Sequence, residues 1–328
     1  MADVDKSNLK QVLKDYPKQF KKGLGIAENV KAEGSFDRVI VSGMGGSALP
    51  AELLGVYLEG EVLVIINRDY TLPPLLASDL VFISSYSGNT EETLGSFGDG
   101  EIHGAQMVGF SAGGTLKGWC KDKEVPHVKY PADGPDFQPR CATGYAFSAM
   151  VKVLSNSGVI EERDAEITAV GEYLEGLSLD GQAKGLAAKL KGKIPIVYSS
   201  GRMSILARMW KIKFNENVKI PSFYNTLPEL NHNELSSYES PLKDYHFIII
   251  RDPEDHERTR KRMELTADLI EQQGGNATIV EMEGPSLLAR LFGTVYLGDW
   301  VSYYLALEEG TDPTPVRMQE EFKKRLLE

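Results

Sequence analysis

The feature that most constrains this chain is an alternation. Short β-branched runs, each ending in a small polar turn, give way to helix-forming stretches. RVIVSG leads to ALPAELLGVYLEG, VLVIINR to a proline-rich turn, LVFISSYSG to NTEETLGSF, and AQMVGFSAGG follows. Strands that alternate with helices build a parallel sheet covered by helices. The second half repeats the logic. KIPIVYSSG enters a turn before RMSILARMWKIKFNEN, HFIIIRD precedes DHERTRKRMELTADLIEQQGG, and NATIVEM closes the series. Strand, small polar turn and helix thus recur near residues 43 and 200. Two similar α/β halves fit better than one continuous sheet.

Residues 6–32 carry a helical pattern with Leu9, Val12, Leu13 and Tyr16 on one face. A charged stretch over roughly 161–191 has few strand signals. The expected organisation is an amino-terminal α/β domain over 1–155, a helical connection over 156–191, and a carboxyl-terminal α/β domain over 192–328 ending in a helical tail. At 328 residues the chain has room for both.

Net charge excludes one class of partner. The formal charge of −11 argues against general nucleic-acid binding, which needs a basic face. Cys120 and Cys141 form no CxxC pair, so neither a disulfide framework nor a Cys-ligated metal site is expected. No apolar run approaches the ~18 residues that span a bilayer, and the first residues lack an apolar signal core. No membrane association and a cytoplasmic location are the expectation.

The first glycine turn has two chemical readings. Gly43, Gly45 and Ala48 satisfy G-x-G-x-x-A, a dinucleotide fingerprint, with Asp69 or Arg68 as the candidate ribose contact. A turn with no ligand is the third reading. The later turn ISSYSGNTEETL favours a tetrahedral phosphate over a dinucleotide. It packs Ser84, Ser85, Ser87, Asn89 and Thr90 together, with Thr90 the expected helix N-cap. Ser47 and the 85–90 loop are expected at carboxyl ends of neighbouring strands, where open α/β sheets bind ligands.

These residues carry a resemblance. SYSGNTEET resembles the phosphate loop of the sugar isomerase (SIS) fold. With SGMGGSA, PRCATG, the segment GRMSILARMWKIKFNENVKIPSFYNTLPELNHNEL and the ending DPTPVRMQEEFKKRL, the whole chain resembles the bifunctional phosphoglucose/phosphomannose isomerase family. The implied fold is α/β, with two SIS-type, flavodoxin-like three-layer subdomains and mainly parallel sheets. The implied reaction interconverts glucose 6-phosphate, and mannose 6-phosphate, with fructose 6-phosphate through ring opening and a cis-enediol. No cofactor and no metal are expected, since no HExxH and no paired histidines at ligand spacing occur. A homodimer is implied, with His232 contributed across the subunit interface.

The resemblance assigns Glu216 as the C1/C2 base, His232 to ring opening, Arg140 to the reacting oxygens and Lys323 to the active site, with Lys324 an adjacent competitor. Gly45, Gly46, Ser47, Ser85, Ser87 and Thr90 would take the phosphate and the sugar end. Of the five histidines, only His232 has side-chain amides beside it, Asn231 and Asn233, able to orient its imidazole. His103 and His127 read as surface or turn residues, His246 as partly buried, and His256 as solvated at a helix start. Leu206, Trp210 and Phe214, spaced by four, should be core and fix where Glu216 points. Glu234 completes N-H-N-E in a role left open. Two other readings stand beside this one: a non-catalytic sugar-phosphate-sensing SIS protein, and a dehydrogenase.

Overall fold

A computed structural model describes residues 4–134 and 136–326. In chain order its helices are α1 (Leu9–Asp15), α2 (Gln19–Ile26), α3 (Leu49–Tyr57), α4 (Glu91–Ile102), α5 (Gly114–Asp122), α6 (Thr143–Asn156), α7 (Asp164–Glu175), α8 (Asp180–Leu190), α9 (Ser204–Lys213), α10 (Glu257–Gln272), α11 (Leu287–Glu308) and α12 (Arg317–Leu326). The strands are β1 (Arg38–Gly43), β2 (Leu63–Asn67), β3 (Asp79–Ser84), β4 (Gln106–Ser111), β5 (His127–Lys129), β6 (Ile194–Ser200), β7 (Phe223–Leu227), β8 (Tyr245–Arg251) and β9 (Ala277–Glu281).

The chain divides into two compact units. One runs from Lys14 to Gly176; the other joins Met1–Leu13 to Leu177–Glu328. Of the helices in the charged stretch, α7 belongs to the first unit and α8 to the second.

The first unit is built on a parallel sheet in the order β2-β1-β3-β4-β5. Every residue of β3 is buried, as a central parallel strand covered on both faces requires. Ile40, Val81 and Ile83 pack with Phe97 of α4 and Leu116 and Cys120 of α5. Their alternates Val39, Val41 and Phe82 are equally buried, on the opposite face. Gly43 pairs with Ser84 at the carboxyl ends of β1 and β3, so the two turns that follow start side by side.

The second unit has a four-stranded parallel sheet, β7-β6-β8-β9. Tyr198, Phe247 and Ile249 face Met263, Ala267 and Ile270 of α10. Leu206, Trp210 and Phe214 are fully buried, as their spacing requires. Burial of each contributes roughly 1.5–3 kcal/mol. Trp210 also donates its indole N–H to the Thr294 carbonyl of α11 at 3.0 Å. Residues 288–306 of α11 are all buried. Among the described residues no helix is long and apolar enough to cross a membrane.

Candidate active site

In the first unit the two turns interlock. Ser47 lies in the 3-10 turn Gly45–Ser47 between β1 and α3. Its Oγ accepts from the Tyr86 backbone N–H at 3.1 Å, and its carbonyl accepts from Ser84 Oγ at 3.2 Å. Ser85 is fully buried. Its Oγ lies 2.9 Å from Thr90 Oγ1 and accepts from the Gly88 N–H at 3.1 Å. Ser85 therefore shapes the loop from inside rather than facing outward with Ser87, which is exposed. Thr90 occupies the N-cap position of α4 but makes no side-chain cap. Its hydroxyl turns to Ser85 instead, a correction to the cap expected from sequence.

The glycines also serve a purpose other than the one expected. A Cβ on Gly46 would lie 2.9 Å from the Arg140 amide nitrogen and 3.0 Å from the Arg140 Cα and Pro139 carbonyl carbon. Gly46 thus lets the chain itself come close, in the form of the 3-10 turn Pro139–Cys141. Gly45 is different: φ is +49° and a Cβ there would have no atom within 4 Å, so this residue stays open outward. Gln19 of α2, nearly fully buried, fixes the 139–141 turn. Its side-chain amide donates to the Cys141 carbonyl at 2.7 Å and its Oε1 accepts from the Gly144 N–H at 3.1 Å. Arg140, 7% exposed, receives additional order from Gln138 Oε1 at 3.3 Å from its Nη1. Ser47, Ser85, Ser87, Thr90 and Arg140 are thus gathered around the carboxyl ends of β1 and β3.

In the second unit α9 does not simply end. After Lys213 the backbone widens into a π turn, Phe214–Val218, closed by Lys219 in the left-handed region at φ +67°. Such turns recur at functional sites because they re-aim one side chain. Here they frame Glu216, which is half-buried. Asn215 donates to the Ile220 carbonyl at 2.8 Å and Asn217 to Ser302 Oγ of α11 at 2.9 Å. Beneath them Lys213 and Asp299 form a buried ion pair. Glu216 is therefore carried on a backbone whose neighbouring residues, Asn215 and Asn217, are both anchored.

His232 ends the 3-10 turn Glu229–His232 and is exposed. Its neighbours do not orient its ring, which corrects the sequence expectation. Asn231 donates to Thr266 Oγ1 of α10 at 2.9 Å and accepts from Arg262 Nη1 at 3.3 Å; Asn233 turns back to Glu229. The amides fix the backbone instead and leave the imidazole outward, with no hydrogen bond or ion pair to it among the described residues. Glu234 accepts from Tyr198 and Asn225, a network that nothing in the spacing of N-H-N-E announces.

Topology separates these two groups. In β6–α9–β7 the helix runs back against the strand direction, so the 214–218 turn lies before β7 and His232 lies after it. Five residues of extended strand span about 16 Å. Within one chain Glu216 and His232 stand at opposite ends of that strand. Lys323 and Lys324 are both exposed on α12, whose Met318, Phe322 and Leu326 are exposed as well.

The other histidines divide by burial. His256 caps α10, its Nδ1 accepting from the Arg258 N–H at 3.1 Å. His127 is half-buried on β5, 2.8 Å from Ser111 Oγ, and desolvation pushes its imidazole down to about 4. It is not the surface residue expected. His246, 3% exposed and 2.9 Å from Thr278 Oγ1, is likewise pushed down to about 4 by burial.

Two parallel α/β units with a hydroxyl-rich turn at the strand ends define an SIS-type protein. Residues 179–326 match the bacterial phospho-glucose isomerase C-terminal SIS domain. The fold resembles the C-terminal domain of glucosamine-fructose-6-phosphate aminotransferase from Francisella tularensis, with a TM-score of 0.71 at 15% identity over 93% of this chain and 97% of that one. The chain is 38% identical to a bifunctional phosphoglucose/phosphomannose isomerase of Caldicellulosiruptor bescii over 95% of each chain. It is 35% identical to one of Aquifex aeolicus over 88% of this chain and 90% of that one. The chain belongs to the bifunctional phosphoglucose/phosphomannose isomerase family.

Proposed function

We propose that this protein interconverts glucose 6-phosphate, and mannose 6-phosphate, with fructose 6-phosphate, as a homodimer. Ser47, Ser87 and Thr90 hold the phosphate in a loop that Ser85 shapes, with Gly45 and Gly46 lining the approach. His232 hands a proton to the ring oxygen while the anomeric hydroxyl gives its own up to solvent, so the bond from C1 to the ring oxygen breaks and C1 becomes the aldehyde carbonyl. Glu216 takes the C2 proton as O1 gains one, giving a cis-enediol, and returns it to C1 as O2 gives its proton up, so the carbonyl moves from C1 to C2. Both aldose epimers lose that proton to the same enediol. Arg140 faces the charge that develops on the oxygens, and Lys323 approaches from α12.

The observation that carries this reading is the paired presentation of Glu216 and His232. Each projects from a backbone fixed on both sides by anchored asparagines. Their separation by β7 favours a site to which His232 comes from a second copy of the chain.

One experiment tests both parts. Glu216→Gln and His232→Ala proteins are assayed separately, then mixed under conditions that exchange subunits. Glu216→Gln should lose isomerisation by about 10³-fold while still binding fructose 6-phosphate by calorimetry. Random mixing should restore about a quarter of wild-type activity, because half the two-fold dimers are mixed and each has one intact site. An active Glu216→Gln protein would overturn the isomerase assignment. No recovery on mixing would overturn the shared site.

A further inference from the structure

We propose that Glu234 is a positioning residue for His232, the second fixed point of the backbone that presents the imidazole for ring opening. This rests on the ring-opening role proposed above for His232 and adds the device that makes it effective.

The geometry is specific. Glu234 Oε2 accepts from the Tyr198 hydroxyl at 2.5 Å, and Oε1 accepts from Asn225 Nδ2 at 2.5 Å. Tyr198 and Asn225 are register partners on β6 and β7, so one carboxylate clasps two adjacent strands. The Tyr198 hydroxyl in turn accepts from the Tyr238 hydroxyl at 3.0 Å. Tyr238 is buried in the same core as Leu230, Leu242 and Phe247. The loop backbone is drawn in as well, with Ser237 Oγ donating to the Glu234 carbonyl at 2.7 Å.

His232 lies two residues before this clasp and one residue after Asn231, which is tied to α10. A chain fixed at 231 and 234 leaves the intervening backbone little freedom, while the imidazole itself stays exposed. Both carboxylate oxygens are engaged by donors from within the unit, which argues against direct proton transfer to a sugar by Glu234. Burial raises the Tyr198 hydroxyl far above its ordinary range, so it stays protonated and keeps donating.

The test uses the full-length protein with Glu234→Ala, Glu234→Gln and Tyr198→Phe, each alone and in the His232→Ala background. Glutamine can keep both contacts: its Oε1 accepts from Asn225 and its Nε2 donates to Tyr198, whose hydroxyl then donates to Tyr238. Glu234→Gln should retain at least about a third of wild-type kcat. Glu234→Ala should lose about 10- to 100-fold in kcat, with KM for fructose 6-phosphate within about threefold, because the loss is one of aim.

The double variant separates positioning from general damage. In the His232→Ala background Glu234→Ala should cost less than about a further twofold, since a misplaced imidazole matters only if it is present. If Glu234→Ala does not fold, Tyr198→Phe carries the test, with an expected loss of about 3- to 10-fold that His232→Ala again abolishes. A full additive loss in the double variant, a Glu234→Gln protein as poor as Glu234→Ala, or unchanged kcat in Glu234→Ala would each overturn the proposal. Wild-type activity in His232→Ala alone would instead overturn the role given to His232.

Discussion

Gly46→Ala is the sharpest probe of how the first unit's turns are held. The added Cβ would meet the Arg140 amide nitrogen at 2.9 Å, its Cα at 3.0 Å and the Pro139 carbonyl carbon at 3.0 Å. These are backbone atoms, and no rotamer change relieves the contact. Ordinary carbon contacts near ~3.6 Å require a displacement of about 0.6–0.7 Å. Gln19 pins the 139–141 turn, so the Gly45–Ser47 turn must move, stretching the 3.1 Å bond between Ser47 Oγ and the Tyr86 N–H. Overpacking of this kind costs about 1–3 kcal/mol, a Tm fall of about 2–12 °C for a domain of this size. An error of 1 Å costs about 10²-fold in rate; two-thirds of that displacement should cost about 10- to 30-fold in kcat/KM. The assay follows glucose 6-phosphate formed from fructose 6-phosphate with a coupling dehydrogenase. Gly25→Ala is the control. On α2 it is exposed and its Cβ meets no atom within 4 Å, so kcat/KM should stay within about threefold. Wild-type kcat/KM in Gly46→Ala, or equal losses in both variants, would refute the reasoning.

Two further perturbations read the second unit. Lys213→Met leaves Asp299 buried without its partner, and the expected loss of stability is about 3–5 kcal/mol by urea unfolding. Lys213→Met/Asp299→Leu should recover much of that. His246 is neutral in the fold, its imidazole pushed down to about 4, while the unfolded ring takes a proton below about 6.5. Unfolding therefore takes up a proton in this window, and stability falls as pH drops from about 6.5 towards 4, then levels. His127 acts in the same direction, so His246→Gln should remove about half of that pH dependence when urea midpoints at pH 7 and 5 are compared.

What the sequence shows of this fold depends on periodicity. Strands β1, β3, β6 and β8 are apolar runs closed by small polar turns, and they are visible as such. So is the Leu206, Trp210, Phe214 stripe. Strand β7 is not, because Phe223 and Tyr224 are exposed on an edge strand and leave no buried run. Strand β5 is only three residues long. Helix α11 is buried on every side over 288–306, so it lacks the polar face that reveals a helix. The π turn after Lys213 likewise has no periodic signature. At the candidate site, residue types pointed to two turns that the fold sets side by side at the ends of β1 and β3, whereas their hydrogen-bond partners did not follow from spacing. Thr90 bonds Ser85 rather than capping α4, and Asn231 bonds Thr266, thirty-five positions away. Such partners belong to tertiary structure, and local pattern carries no information about them. Gln19, Tyr198 and Asn225 were missed for the same reason. An amide or hydroxyl placed within an otherwise apolar strand or helix is the signal that could have drawn attention to them.

The two units also show why a repeated topology does not imply a repeated site. Turns follow β1 and β3 in one and β6 and β8 in the other, at equivalent carboxyl ends. In the first unit those turns present Ser47, Ser87 and the Thr90 segment. In the second, the turn after β8 carries Asp252, which is fully buried. Its carboxylate accepts from Arg290 Nε at 2.9 Å and lies 3.7 Å from Arg202 Nη1 of the turn after β6. Arg290 reaches Glu254 as well, at 2.6 Å. The chain thus supplies its own anion to the arginines at this position. Removing Asp252 would leave buried Arg290 with only the exposed Glu254 as a carboxylate partner among the described residues, and an exposed partner returns less than a buried one. Where hydroxyls and amides line the strand ends, no side chain among the described residues fills the place of an anion; where a carboxylate already sits among arginines, that place is taken. The residues in the turns, and not the fold that carries them, decide which strand ends stay open to an anion.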